Sequence, residues 1–238
     1  MSQPQIIIRE MSFNAATSFD KVLFKELNLV FSKKKIGLIG KNGVGKSTLL
    51  KLIINELTPK AGSIQILGTI AYVPQILNQL TQISVASFLG CAEKINALHR
   101  ITLGSVDEKD FEVLNEDWEI EDFLQQQLAL FGLQAIEFNR PLTTLSGGEL
   151  TRLMLTKAFS SNVDFILLDE PTNHLDMITI DALIESLRLF QGGIVLVSHD
   201  RHMIGSLESQ LWTVRKGRLI RYENSFETYL EELAEYQF

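Results

Sequence analysis

The stretch Gly40-Lys41-Asn42-Gly43-Val44-Gly45-Lys46-Ser47-Thr48 has the pattern G-x-x-x-x-G-K-S, and this pattern decides the fold. An apolar run at residues 36–39 precedes it and predicts a buried strand, while residues 49–54 after it predict a helix. Glycines let successive backbone N–H groups face one anion, and the start of the helix adds its positive dipole end. We therefore interpret the stretch as a phosphate-binding loop rather than a plain glycine-rich turn.

Individual positions of this loop have separate expected roles. Lys46 is placed to reach the β- and γ-phosphates of a nucleotide, and the hydroxyl of Ser47 is placed to bind Mg²⁺. The residues expected to contact the nucleotide are Gly40, Asn42, Gly43, Gly45, Lys46, Ser47 and Thr48.

A pair of carboxylates forms a second motif. Asp169 and Glu170 directly follow the apolar residues 165–168, which predict a short buried strand. Ligands of open α/β sheets bind at the carboxyl ends of such strands, and hydrolysis of a phosphate anhydride needs a metal and an oriented water. We expect Asp169 to hold Mg²⁺ and Glu170 to orient or deprotonate water. The alternative is a pair of solvated acids at the end of a strand.

Composition limits the class of protein. The 238 residues, 45% hydrophobic and 21% charged, are typical of a soluble globular chain, and no run of about 18 apolar residues predicts a membrane span. The single cysteine, Cys91, excludes an internal disulfide, and the start of the chain lacks the features of a signal peptide. We expect a cytoplasmic protein. The net charge of −7 argues against a protein whose whole surface binds nucleic acid, and it leaves a local basic patch as an open alternative.

Alternating apolar strands and helices predict an α/β fold with a mostly parallel sheet. Residues 63–67 and 69–73 are predicted to pair as strands joined at Gly68, and residues 211–221 to form a hairpin turning at Lys216-Gly217. Helical spacing of apolar residues predicts a helical lobe from 76 to 145, with Phe123, Leu124, Leu128 and Phe131 in its core. A final helix is predicted from Ser225, with Asn224 and Glu227 as its capping box.

Four further stretches resemble motifs of the ATP-binding cassette (ABC) ATPases, in the order in which that family has them. Tyr72-Val73-Pro74-Gln75 resembles the glutamine loop, and Leu145-Ser146-Gly147-Gly148-Glu149 resembles the family signature. Asn173-His174-Leu175-Asp176 resembles the D-loop, and Ser198-His199-Asp200-Arg201 resembles the stretch with the switch histidine. With the phosphate loop and the carboxylate pair, the resemblance extends from about residue 40 to residue 201.

The resemblance implies a fold and a reaction. The fold is that of a P-loop NTPase, with a mostly parallel core sheet, an antiparallel β subdomain and a helical lobe. One domain would span residues 1–238, with the core at 1–75 and 146–222, the lobe at 76–145 and a C-terminal helix at 223–238. The implied reaction is Mg²⁺-dependent hydrolysis of ATP to ADP and phosphate.

The resemblance also implies roles for residues outside the phosphate loop. Gln75 would join Ser47 in the Mg²⁺ shell, Glu170 would be the general base, and His199 would contact the γ-phosphate. Asp176 is assigned to the nucleotide site and is also expected to cap the helix that starts near residue 178. An aromatic residue stacks on adenine in this family, and Phe19 is our first candidate, with Phe13 second.

The signature implies a partner. Ser146, Gly147 and Gly148 would cap the nucleotide of a second ABC domain, because Ser146 is a good helix N-cap and the glycines leave the helix start open to an outside phosphate. That second domain would belong to the same chain in a longer protein or to a second copy.

The residues at the variable positions of these motifs resemble those of the F subfamily of ABC ATPases. The stretch from Asp169 to Asp176, D-E-P-T-N-H-L-D, has Asn173 and His174 where transporter ATPases more often have small residues. F-type members are soluble proteins with two ATPase domains, and many act on the ribosome. This sequence has one copy of each motif, so it resembles a single, N-terminal domain, with the ribosome as a further expected partner and no insertion into a membrane. The alternatives are the ATP-binding subunit of a membrane transporter and a non-catalytic, nucleotide-gated module.

Overall fold

The computed structural model describes residues 3–15, 22–75, 82–215 and 217–235. The chain folds as two compact units, which we call the first and the second unit. The first unit comprises Met1–Gln75, Ser161–Asn173 and Ile184–Phe238, and the second comprises Ile76–Ser160 and His174–Leu183. Residues 147–160 therefore group with the predicted helical lobe, whereas their predicted place was in the core.

The helices and strands occur in the following order. The first half of the chain forms β1 (Gln5–Asn14), β2 (Val22–Phe31), β3 (Lys35–Ile39), α1 (Lys46–Ile53), β4 (Ala61–Leu67), β5 (Ile70–Val73), α2 (Val85–Leu89), α3 (Ala92–Thr102) and α4 (Glu108–Leu114). The second half forms α5 (Ile120–Leu130), α6 (Gly147–Ser160), β6 (Phe165–Asp169), α7 (Met177–Leu189), β7 (Gly193–Val197), α8 (Arg201–Ser206), β8 (Gln210–Arg215), β9 (Arg218–Tyr222) and α9 (Phe226–Glu235). A short 3₁₀ turn at Leu142–Thr144 precedes α6.

The larger sheet of the first unit has the strand order β5-β6-β7-β3-β8-β9. Its strands run parallel except for the edge strand β9, which pairs antiparallel with β8. β6 and β7 are apolar or glycine throughout, apart from the terminal Asp169, and every residue in them is buried, as expected for central strands of a parallel sheet. The predicted mostly parallel α/β core is thus confirmed.

The smaller sheet has the order β2-β1-β4 and is antiparallel, as the predicted β subdomain required. The predicted pairing across Gly68 is wrong, however, because β4 pairs with β1 whereas β5 pairs with β6 in the other sheet. The chain changes sheets at Gly68, where φ is +126°. Asp164 accepts hydrogen bonds from the Thr69 backbone N–H and hydroxyl, at 3.1 and 3.2 Å, and so fixes the start of β5 beside β6.

The second unit contains α2 to α6 and two apolar clusters. One is built around Leu128, Leu142 and Leu153, and the other around Ile95, Leu114 and Leu124. The prediction that Phe123 belongs to the core is wrong, since its side chain is 47% exposed while Leu124 next to it is buried. The helix period turns Phe123 about 100° away from Leu124.

The ends of the shorter helices differ in detail from the prediction. Ser225, not Asn224, precedes α9, and its hydroxyl accepts a 3.2 Å hydrogen bond from the Thr228 N–H. α8 was not predicted; Asp200 caps it by accepting a 2.8 Å bond from the Met203 N–H. Among the described residues, no helix has the length and apolarity needed to cross a bilayer.

Candidate functional site

The phosphate loop connects β3 to α1, as the sequence predicts, and its backbone is tightly constrained. Gly45 precedes α1 with φ of +107°, a conformation that side chains with a Cβ rarely adopt. A Cβ atom at Gly45 would also lie 3.0 Å from the ring of Phe24. Glycine is therefore required here both by the backbone conformation and by the close approach of the smaller sheet.

Lys46 is buried and points back into the loop. Its Nζ donates to the carbonyl oxygens of Gly40, at 2.7 Å, and Lys41, at 3.3 Å. Burial lowers the pKa of Lys46, and the nearby carboxylates of Glu170 and Asp169 oppose this effect. The lysine thus ties the start of the loop to its end through these two hydrogen bonds.

Ser47 and Asp169 meet at the end of β6. The Ser47 hydroxyl donates a 2.8 Å hydrogen bond to Oδ1 of Asp169, and the Tyr72 hydroxyl donates to Oδ2 at 3.4 Å. Burial raises the pKa of Asp169, and the hydrogen bonds from Ser47 and Tyr72 act in the opposite direction. Burial and the nearby Asp169 raise the pKa of Tyr72, which keeps its hydroxyl protonated as a donor.

The donor atoms here fit a magnesium ion. Mg²⁺ binds hard oxygen ligands, often one or two carboxylates, and the Ser47 hydroxyl and the Asp169 carboxylate already lie together. Over the described ranges, no three His, Cys, Asp or Glu side chains come together as a metal-binding group, so a zinc-type cage is not found there. Two protein oxygens leave the rest of an octahedral shell to water and phosphate.

Glu170 and His199 face each other across the ends of two neighbouring strands. His199 Nε2 lies 3.2 Å from Oε1 of Glu170, 3.1 Å from Oδ1 of Asn42 and 3.4 Å from Nζ of Lys46. Glu170 has φ of +49°, an uncommon value for a residue with a side chain, and its N–H donates to the Val197 carbonyl at 2.8 Å. The bend after β6 thereby turns the Glu170 side chain toward the loop.

These side chains surround one cleft of about 490 Å³ within the first unit. Of the predicted residues, the cleft is lined by Asn42, Gly43, Gly45, Lys46, Ser47, Thr48, Gln75, Glu170 and His199. Asn173 also lines it and was not predicted as a site residue, although it stands in the quoted D-loop stretch. Gly40 and Asp169 contact the cleft residues Lys46 and Ser47. Phe19 lies outside the described residues, and Phe13 packs against the apolar core of the first unit.

The predicted capping residues lie in the second unit, at the starts of α6 and α7. Ser146 and Glu149 form a reciprocal capping box: the Ser146 N–H donates to Oε2 of Glu149 at 2.8 Å, and the Glu149 N–H donates to Oγ of Ser146 at 3.2 Å. Gly148 lies so close to the His174 carbonyl that a Cβ atom would be 2.9 Å from it, whereas the nearest contact of a Cβ at Gly147 would be 4.0 Å.

Asp176 caps α7, as predicted. Its Oδ1 accepts a 2.8 Å hydrogen bond from the Thr179 N–H, and this bond lowers the pKa of Asp176. The cap fixes the carboxylate at the start of the helix and keeps it ionised.

Comparison with known proteins agrees with the motifs. The family model described as "ABC transporter" matches residues 24–173. ABC transporter F family member 3 of Arabidopsis thaliana is 32% identical over 87% of this chain and 27% of its own length. The probable ATP-binding protein YheS of Escherichia coli K12 is 34% identical over 89% of this chain and 30% of its own length. The chain thus spans about a third or less of these two relatives.

A solved structure gives the same picture of the fold. The archaeal ribosome recycling factor aABCE1, in complex with the ribosomal stalk protein aP1, superimposes with a TM-score of 0.68 at 22% identity. The superposition covers 98% of this chain and 43% of that chain. The expected P-loop NTPase fold and the resemblance to the F subfamily are confirmed, and the chain belongs to the ABC transporter family of ATPase domains.

Proposed function

We propose that this chain binds Mg²⁺·ATP in the cleft of the first unit and hydrolyses it. The observation that supports the proposal most strongly is the convergence of Lys46, Ser47 and His199 with the carboxylates of Asp169 and Glu170 around one cleft. A phosphate loop, a metal-holding acid and a water-orienting acid are the parts that phosphoryl transfer to water needs.

Each side chain has a defined task in this reaction. Lys46 exchanges its bonds to the Gly40 and Lys41 carbonyls for bonds to phosphate oxygens, which need the same donor. Ser47 and Asp169 would hold the metal, and Gln75, which also lines the cleft, would join them in the Mg²⁺ shell. Bound Mg²⁺ supplies charge neutralisation on the β- and γ-phosphate oxygens.

Glu170 and His199 act on the attacking water and the γ-phosphate. Glu170 accepts the proton of the water, because its carboxylate projects into the cleft from the bend after β6. His199, already in contact with Glu170, Asn42 and Lys46, donates to the γ-phosphate oxygen as negative charge develops there. Asn42 and Glu170 keep the ring of His199 in place.

The complete site includes a second ABC domain. Ser146, Gly147 and Gly148 of one domain cap the nucleotide held by the other, and Asp176 contributes to the same assembly. In the capping box Oγ of Ser146 accepts from the Glu149 N–H, and in the closed pair of domains its hydroxyl hydrogen would turn to a phosphate oxygen of the other domain's nucleotide. We further propose that the full-length protein pairs two such domains and acts in translation on the ribosome. The F-type sequence of residues 169–176 supports this proposal.

Nucleotide titration tests the central proposal. Wild-type protein should bind Mg²⁺·ATP with a measurable affinity, and Lys46→Ala should weaken binding by about tenfold or more, since a charged hydrogen bond contributes about 1.5–3 kcal/mol. Equal affinity in the two proteins would contradict the proposal. Glu112→Gln, an exposed change in α4, is the matched control.

Sedimentation with ribosomes separates the two candidate partners. The full-length protein with Glu170→Gln, which retains ATP, should co-sediment with ribosomes in low salt and lose binding as salt is raised. Co-purification with an integral membrane protein instead would favour the transporter subunit.

A further inference from the structure

We infer that Arg140 is a positioning residue for the signature cap, and that it sets how well this domain closes over the nucleotide of a second domain. The inference rests on the proposed function for its consequence in catalysis. Its structural part rests on the second unit alone and does not need two domains to pair.

The Arg140 guanidinium connects the segment before α6 with the first turn of α6. Its Nη1 donates to Oε1 of Glu149 at 2.8 Å, and its Nη2 donates to the Thr144 carbonyl at 2.9 Å. Its Nε also lies 3.2 Å from the Thr144 hydroxyl oxygen. One planar group therefore binds residues on both sides of the stretch 145–148, which carries the signature serine and glycines.

The backbone of Arg140 is itself anchored. Its carbonyl accepts a 3.0 Å hydrogen bond from the Val85 N–H, and the Leu142 N–H donates to the Ile83 carbonyl at 2.9 Å. The guanidinium therefore projects from a fixed point rather than from a loose loop.

Glu149 transmits the effect of Arg140 to Ser146. One carboxylate oxygen accepts from Arg140 and the other accepts from the Ser146 N–H. Both the Ser146 hydrogen bonds and Arg140 lower the pKa of Glu149, with the bond from the Ser146 N–H as the larger cause. Without Arg140, the carboxylate would lose one of the two donors that fix its orientation and the positive charge that balances it.

This balance matters because the ligand of the cap is a triphosphate. An unpaired Glu149 carboxylate at the start of α6 would repel it, whereas the Arg140–Glu149 pair presents no net charge there. Arg140 thus acts twice, by orienting the Ser146 hydroxyl through Glu149 and by cancelling the charge of the acid that forms the capping box. Neither action requires Arg140 to touch the nucleotide.

Arg100 provides a matched control in the same unit. It also bonds a single carboxylate, with Nε of Arg100 at 2.9 Å from Oδ1 of Asp110, but between α3 and α4. Three variants should therefore be compared: Arg140→Gln, Arg140→Lys and Arg100→Gln. Lysine can reach Glu149 but cannot form the planar fork to Thr144 as well.

Amide hydrogen exchange by NMR tests the positioning role. The Ser146 and Glu149 amides should exchange about five- to tenfold faster in Arg140→Gln, the factor expected for loss of a helix cap, and at the wild-type rate in Arg100→Gln. Unchanged exchange at these amides in Arg140→Gln, or an equal increase in Arg100→Gln, would overturn the inference. This result is independent of whether two domains pair.

ATP hydrolysis tests the consequence. Arg140→Gln should bind Mg²⁺·ATP in its own cleft as wild type does, yet its turnover at saturating ATP should fall about tenfold, with partial recovery in Arg140→Lys. Mixing Arg140→Gln with Lys46→Ala should restore turnover, because the intact cap of the Lys46→Ala chain closes over the intact cleft of the Arg140→Gln chain. Wild-type turnover in Arg140→Gln, or no recovery on mixing, would overturn the catalytic part. Failure of the proposed pairing would be seen separately, as a wild-type rate strictly proportional to protein concentration.

Discussion

Ser47 and Asp169 stand 122 residues apart in the chain, yet the hydroxyl of Ser47 donates a 2.8 Å hydrogen bond to Oδ1 of Asp169. The contact joins the first turn of α1 to the end of β6, two elements that the parallel sheet brings to the same edge. Both groups supply oxygen atoms and one of them is a buried carboxylate, which is why we propose this pair as the protein's ligands for Mg²⁺.

Replacing this carboxylate should affect the metal more than the nucleotide. Asp169→Asn keeps an oxygen that can accept from Ser47 but removes the negative charge, so we expect the Mg²⁺ concentration for half-maximal activity to rise about 10–100-fold. A magnesium titration of ATP hydrolysis measures this. An unchanged magnesium requirement would show that Asp169 does not hold the ion.

Glu170 is predicted to be needed for hydrolysis but not for binding. Glu170→Gln keeps the size and one oxygen of the side chain while removing the base, so turnover should fall by about 10²–10⁴-fold with ATP affinity retained. The variant should also accumulate as a closed pair of domains in Mg²⁺·ATP, seen by size-exclusion chromatography. A variant that turns over at the wild-type rate would exclude Glu170 as the base, and Glu112→Gln serves as the exposed control.

The two glycines after Ser146 should differ in their tolerance of a methyl group. In Gly148→Ala the new Cβ would lie 2.9 Å from the His174 carbonyl oxygen, so the backbone must shift, at a cost of about 1–3 kcal/mol in the free energy of unfolding. In Gly147→Ala the nearest contact would be 4.0 Å, which is ordinary van der Waals distance. Thermal unfolding should therefore show a lower Tm for Gly148→Ala alone, and equal Tm values would contradict the close approach.

Asp164 should make stability depend on pH in the acid range. The pKa of Asp164 is lowered below its ordinary value, mainly by the hydrogen bond from the Thr69 N–H and next by the hydrogen bond from Lys33. The ionised form is thus favoured in the folded state, and its contribution is present above pH of about 4 and is lost as the pH falls through the lower, folded pKa. Urea unfolding should find wild type more stable than Asp164→Asn at pH 7, with the difference vanishing toward pH 2.

The same comparison with the exposed residue Asp122 provides the control for Asp164. Asp122→Asn should change stability little at either pH, since Asp122 is an exposed residue on α5. A difference for Asp164→Asn that grows as the pH falls would contradict the assignment of Asp164 as a favourably ionised group.

Much of the site could be predicted from local pattern. The phosphate loop, the carboxylates at the end of β6 and the helix Gly147–Ser160 each depend on a short stretch whose residue types allow few conformations. The cap at Asp176 was predictable for the same reason, because an aspartate before a helix has a backbone N–H within reach.

Contacts between distant segments could not be predicted in this way. The pairing of β5 with β6 depends on the contact between Thr69 and Asp164, which are 95 residues apart. We predicted that β5 pairs with β4 because those two strands are adjacent in the sequence, and this partner is wrong. The Tyr72 hydroxyl reaches Asp169 only because those two strands are adjacent. The residue that stacks on adenine stays a prediction, because our first candidate, Phe19, lies outside the described residues.

The internal bonds of Lys46 have a consequence for the speed of nucleotide capture. Because Nζ already bonds the Gly40 and Lys41 carbonyls, the loop is held in shape before any anion arrives. Under the proposed function, Lys46 would exchange these two neutral acceptors for charged phosphate oxygens, and little backbone entropy would be lost because the loop is already ordered. Association should accordingly be limited by diffusion to the cleft rather than by a slow ordering of the loop.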